Sequence, residues 1–143
     1  MTPYRKVTEF KTVQAFEEYV KSRHFTIGLV PEVPADGSAA LARPIHFRGR
    51  TIGNRWAILP MEGWDCMDDG TPSEFTCRRW LRFARSGAKL LYGTEAGAVM
   101  HSGRSNPQQL LVAEHTKEAL TRICAEMHQV HKETFGRDDD LYI

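Results

Sequence analysis

The chain has 143 residues, of which 41% are hydrophobic and 26% charged, the size and balance of one ordinary globular domain rather than of a disordered segment. Nineteen basic residues stand against eighteen acidic ones, with no long basic run, so the sequence carries no electrostatic footprint for a nucleic-acid partner. No stretch approaches the ~20 apolar residues that span a bilayer, and no apolar region of signal-peptide length follows the N-terminus. A cytoplasmic protein without membrane or nucleic-acid partners is expected. Cys66, Cys77 and Cys124 are odd in number and lack a Cys-x-x-Cys pair, which points to reduced thiols rather than a disulfide framework or a zinc site.

In chain order, Phe10, Val13, Phe16 and Val20 recur at steps of three and four with Lys and Glu between them, which predicts an amphipathic helix over residues 10–22. Thr26 to Val30 reads as a short extended piece. Pro31, Pro34, Asp36-Gly37 and Pro44 then mark a linker, dividing an N-terminal extension (1–40) from the main body (41–143). Two short extended runs, Ile45-His46-Phe47 and Thr51-Ile52, flank Arg48-Gly49-Arg50 and predict a hairpin. The apolar run Trp56 to Leu59 predicts a strand covered on both faces. Thr71-Pro72-Ser73-Glu74 reads as a helix start with Thr71 as N-cap, Pro72 at the first position and Glu74 closing a capping box. Cys77, Trp80, Leu81 and Ala84 form that helix's apolar stripe, Arg78, Arg79, Arg82 and Arg85 its solvated face, and Gly87 its stop. Residues 88–92 predict a second strand. A helix follows from about Thr116, marked by Leu120, Ile123, Cys124, Met127, Val130 and Phe135 and closed by Gly136, and Leu141-Tyr142-Ile143 reads as a third strand beginning. The fold class is α/β, with strand and helix alternating.

Several of these pieces, taken together, resemble a known family. Leu41-Ala42-Arg43-Pro44-Ile45, the string Asn54-Arg55 followed by an apolar stretch and Pro60-Met61, then Asp69-Gly70-Thr71-Pro72 and Gly93-Thr94-Glu95-Ala96, stand in the order found at the start of the old yellow enzyme family, the flavin mononucleotide (FMN) oxidoreductases related to NADH:flavin oxidoreductase. The resemblance covers about residues 41 to 143. It implies the N-terminal fragment of a TIM (β/α)8 barrel, about two βα units preceded by a helix and a hairpin that caps the barrel floor. It further implies that Leu59, Pro60, Met61 and Glu62 line the flavin ring and that Ala96 touches its pyrimidine edge. Hydride would pass from NAD(P)H through FMN to an electron-poor double bond. The family's Gln motif on the third strand, its substrate-orienting His/Asn pair, its proton-donating Tyr and its late phosphate site are not in this sequence. The implied partner is therefore the remainder of the barrel, from the same gene or from a second chain, besides a small-molecule substrate.

Each candidate residue also has a plainer reading. Pro60-Met61 can be a buried strand end with a turn. Where many family members carry Thr or Cys, Glu62 is expected to be protonated, to lower the flavin potential, to turn away, or to be a solvated loop residue. Trp64 can stack over the substrate or the flavin edge, or be a partly buried loop residue. Cys66 reads as an inert thiol. Cys124, His128 and His131 share a helix face at i, i+4 and i+7, where a metal would lack a fourth ligand, so a core Cys with two solvated His is expected. A second function of another class remains open: a standalone, non-catalytic α/β protein that self-associates through an open sheet edge.

Overall fold

A two-residue reversal of type I′ needs positive φ at both residues, and Arg48 (φ 47°) and Gly49 (φ 76°) supply it. In the computed structural model, which describes residues 4–143, this turn joins β1 (Ile45–Phe47) to β2 (Arg50–Ile52) antiparallel, with Ile45 opposite Ile52. The chain divides into two compact units, one ending at Asp36 and the other running from Gly37 to Ile143.

In the first unit a 3-10 turn (Val7–Glu9) precedes α1 (Val13–Ser22). The predicted helix is shorter at its start because the Thr12 hydroxyl accepts the Ala15 N–H at 3.1 Å and so caps the helix there. Phe10, left outside, packs its ring 5.2 Å from Phe16 and 5.1 Å from Tyr19. Residues 26–30 are irregular rather than a strand.

The second unit is of mixed helix and small-sheet architecture. β3 (Ala57–Ile58) pairs parallel with β4 (Leu90–Leu91), Ala57 with Leu90 and Ile58 with Leu91. On the far side of β4, Tyr142 forms a parallel bridge with Leu90, its N–H donating to Lys89 O and its carbonyl accepting from Leu91 N. Three parallel segments therefore lie side by side, separated in sequence by α2 (Glu74–Ala84) and α3 (Lys117–Phe135).

Side-chain alternation decides which face of these segments is covered. Leu91 is fully buried and Ile58 packs on the core, whereas Ala57, Leu59 and Tyr92 are exposed. Both helices cover the Leu91 face, where Trp80 and Ala84 of α2 meet Ile123 and Met127 of α3 together with Cys66, Leu110 and Leu141. Each such large apolar side chain contributes about 2 kcal/mol by leaving water. The expectation of a strand covered on both faces is corrected accordingly: the opposite face is bare, and Leu59 and Tyr92 are 70% and 63% exposed.

The start of α2 also differs from the expectation. Ser73, not Thr71, is the N-cap: its hydroxyl accepts from Thr76 N while Thr76 Oγ1 accepts from Ser73 N, both at 3.3 Å. Thr71 instead donates its N–H to Asp69 Oδ1 at 2.8 Å in an Asx turn, which leaves its own side chain out of the cap. Gly136, at φ 78°, ends α3 as a left-handed cap, its N–H bonded to Lys132 O. Among the described residues no helix is long and apolar enough to cross a membrane.

Candidate functional site

The C-terminal ends of parallel strands leave backbone groups and side chains free of the ladder, and loops from neighbouring strands meet there. At this end of β3 the chain runs Leu59, Pro60, Met61, Glu62; at the same end of β4 it runs Gly93, Thr94, Glu95, Ala96. The two corners are joined directly. Ala96 N–H donates to Met61 O at 3.3 Å, and Gly63 N–H donates to Glu95 Oε1 at 3.0 Å. Leu59 and Met61 are 70% and 75% exposed, and Ala96 is half-buried.

Beneath this rim lies a charged cluster that holds both loops. The Glu95 side chain is fully buried, and its second carboxylate oxygen accepts from Arg79 Nη2 at 2.8 Å. Arg79 also grips Asp65 with two bonds, Nη2 to Oδ1 at 2.8 Å and Nε to Oδ2 at 3.2 Å, while Thr76 Oγ1 donates to Asp65 Oδ1 at 2.8 Å. Burial pushes the Asp65 carboxyl up, but the bonds from Arg79 and Thr76 and the charge of Arg79 outweigh it, leaving it below its ordinary value. For Arg79 burial works downward and the two carboxylates more than offset it. The expected solvated arginine face of α2 is corrected at this one position, because Arg79 turns inward to bridge two loops. A Cβ at Gly63 would meet the Arg79 guanidinium, so a larger residue there would push Arg79 off its carboxylates.

Glu62 points along the rim rather than toward the sheet. Its Oε2 accepts from Ser105 Oγ at 2.5 Å and from Trp64 Nε1 at 2.8 Å. The Ser105 bond, then the Trp64 bond, hold its carboxyl below the ordinary range, which favours the ionised form at neutral pH. Trp64 is 51% exposed, with its backbone in the left-handed region (φ 50°).

Two residues that the sequence gave no reason to select complete the rim. Gln109, buried, donates from Nε2 to Ala96 O at 2.8 Å and accepts Ser105 N–H at 2.7 Å, which folds the loop after β4 back onto the corner. Arg104, half-buried, fixes the same loop by donating to Asp68 O and Pro107 O.

Of the three donors that share a face of α3, His128 bonds Asp138, while His131 is buried and bonds Lys89 and Ala84 O, so the expectation of two solvated His is corrected at His131. Asp65, Cys66 and Glu95 do come within 4.8 Å of one another, but Arg79 already occupies both carboxylates and burial pushes the Cys66 thiol up to about 11, which keeps it protonated.

Compared with protein-family models and with curated proteins, the sequence matches none, so the resemblance to the flavin oxidoreductases stands on its short motifs and on the placement of the residues that carry them.

Proposed function

We propose that residues 41–143 are the N-terminal part of an FMN-dependent NAD(P)H oxidoreductase of the ene-reductase type, the opening third of a TIM barrel. The supporting observation is the bond from Ala96 N–H to Met61 O, which makes the Pro60-Met61 and Glu95-Ala96 corners neighbours at one end of adjacent parallel strands. Catalytic groups of a β/α barrel belong to that end. FMN, when bound, supplies transfer of hydride from reduced nicotinamide to an electron-poor alkene.

The chain's own part is to seat and orient. Leu59, Pro60 and Met61 offer an apolar wall with no packed side chain to displace, and Ala96 lets the backbone approach closely. Glu62, ionised and turned toward Ser105 and Trp64, keeps its charge on the rim, while Trp64 stands exposed where a substrate would arrive. Proton donation and phosphate binding would come from the remainder of the barrel, so the chain by itself would hold part of the flavin site and complete no turnover.

The test is titration of FMN with the purified chain, alone and with a downstream polypeptide completing the barrel, read by flavin fluorescence and NAD(P)H oxidation. Quenching that an Ala96→Trp substitution weakens about tenfold is expected, about 1.4 kcal/mol of lost binding. If FMN stays free in both mixtures, the reading fails.

A second reading has its own observation. The sheet face bearing Ala57, Leu59 and Tyr92 is bare, and among the described residues no strand pairs with the outer edge of β3. A non-catalytic protein that self-associates through this surface accounts for both.

A further inference from the structure

At the opposite end of the parallel segments, a buried cluster does no work in the proposed site. His131 of α3 is fully buried, and Lys89, at the start of β4, is 9% exposed. Lys89 Nζ lies 2.8 Å from His131 Nε2 and 2.9 Å from Asp140 Oδ1. His131 Nδ1 lies 2.7 Å from Ala84 O at the end of α2. The sequence reading placed His131 in solvent; its ring instead packs 4.7 Å from Phe135 inside the fold.

The partners fix the proton inventory. A carbonyl oxygen only accepts, so Nδ1 must carry the ring proton; an ammonium only donates, so Nε2 must be bare. His131 is therefore neutral by the geometry of its two bonds. Protonation of Nε2 would remove the acceptor of Lys89 and set a second cation against it in a site closed to water. From the C-terminal segment Asp140 bonds Lys89 and is shared with Arg137, whose Nε lies 3.9 Å from Oδ2, while Asp138 acts on His131 and Asp139 on Lys89 at longer range. Asp138 is engaged by His128 at 3.1 Å. α2 offers a carbonyl and no charge.

The same cluster is a junction. Asp140 O accepts the Gly53 N–H that follows β2, and Lys89 O accepts the Tyr142 N–H that starts the third parallel segment. We propose that Lys89, His131 and Asp140 form a proton-sensitive latch: with His131 neutral the last turn of α3 and the segment after it lie closed on β4, and a proton on Nε2 releases them and opens the β4 edge.

Burial and the nearby Lys89 hold the His131 pKa below the usual 6.5. The folded form thus binds the proton less readily than the unfolded one, so the closed state is fully present above about pH 6.5 and weakens as pH falls toward the folded pKa.

Residue-resolved amide exchange on the full chain, corrected for intrinsic rates, tests this between pH 7 and pH 5. The amides of Leu91, Tyr142 and Gly53 are expected to lose protection as pH falls below ~6.5, by up to about tenfold per pH unit, while those of Trp80 and Leu81 in α2 keep theirs. His131→Gln removes the titrating group and should flatten the loss, while Lys89→Met removes the opposing cation and should lessen it; if the first fails to fold, the second decides. Nitrogen NMR at pH 7 should find the His131 proton on Nδ1. Protection independent of pH, an equal loss in α2, an unchanged loss in either variant, or a proton on Nε2 would each overturn the latch.

Discussion

Arg79 is the single side chain on which the rim most depends, because it is the shared cation for a fully buried Glu95 and a half-buried Asp65. Removing it leaves Glu95 with only the Gly63 N–H and no opposing charge, the situation that makes breaking a buried pair costly. Arg79→Ala should lower unfolding free energy by about 3 kcal/mol in a urea titration, and Arg79→Lys should recover only part of it, since an ammonium cannot grip Asp65 with two parallel bonds. The pH dependence has a definite sign. The Asp65 carboxyl lies below its unfolded value of 3.8 in the folded chain, so its contribution is complete above that pH and disappears as pH falls through the folded value. Urea midpoints measured from about pH 4 down to about pH 2 should therefore fall more for the wild type than for Arg79→Ala.

At the scale of elements, the two candidate caps of α2 make different demands. Ser73→Ala removes the hydroxyl that accepts from Thr76 N and donates to Asp65 O, and should cost about 1 to 2 kcal/mol, with Ser73→Asp restoring part of it. Thr71→Ala, which leaves the backbone Asx turn intact, should change stability by less than about 0.5 kcal/mol. Thermal melts of the three variants separate the cases. Thr71 with Glu74 fits the capping pattern and Ser73 with Thr76 offers a second register, the one in which the cap hydroxyl also reaches Asp65 O. The same limit explains what else was and was not legible. The Arg48-Gly49 turn, the Gly136 stop, and the stripe of Trp80, Ala84, Ile123 and Met127 are dictated by neighbours a few residues away, and periodicity or φ preference is enough to find them. Arg79, Gln109 and His131 owe their roles to groups 13 to 47 residues distant, to Glu95, Ala96 and Ala84 among them, and no local pattern distinguishes an inward Arg or His from a solvated one.

For the second unit as a body, the deciding feature is the asymmetry of its parallel segments. Two helices bury one face, and the other leaves Leu59 and Tyr92 at 70% and 63% exposure beside Met61 at 75%. Both proposed functions need this face, one to seat FMN against further strands and the other to meet a second copy, but they respond differently to charge. Leu59→Glu puts a carboxylate on the bare face without touching the core of Trp80, Leu91 and Met127, so helical circular dichroism should be unchanged. If copies associate through the face, wild-type protein should show concentration-dependent mass in sedimentation velocity and Leu59→Glu should be monomeric at the same concentrations, since a buried unpaired charge opposes association. If the face instead seats the cofactor, the wild type should bind FMN while remaining monomeric, and the same substitution should weaken that binding about tenfold or more by placing a negative group beside a ring that gains negative charge on reduction.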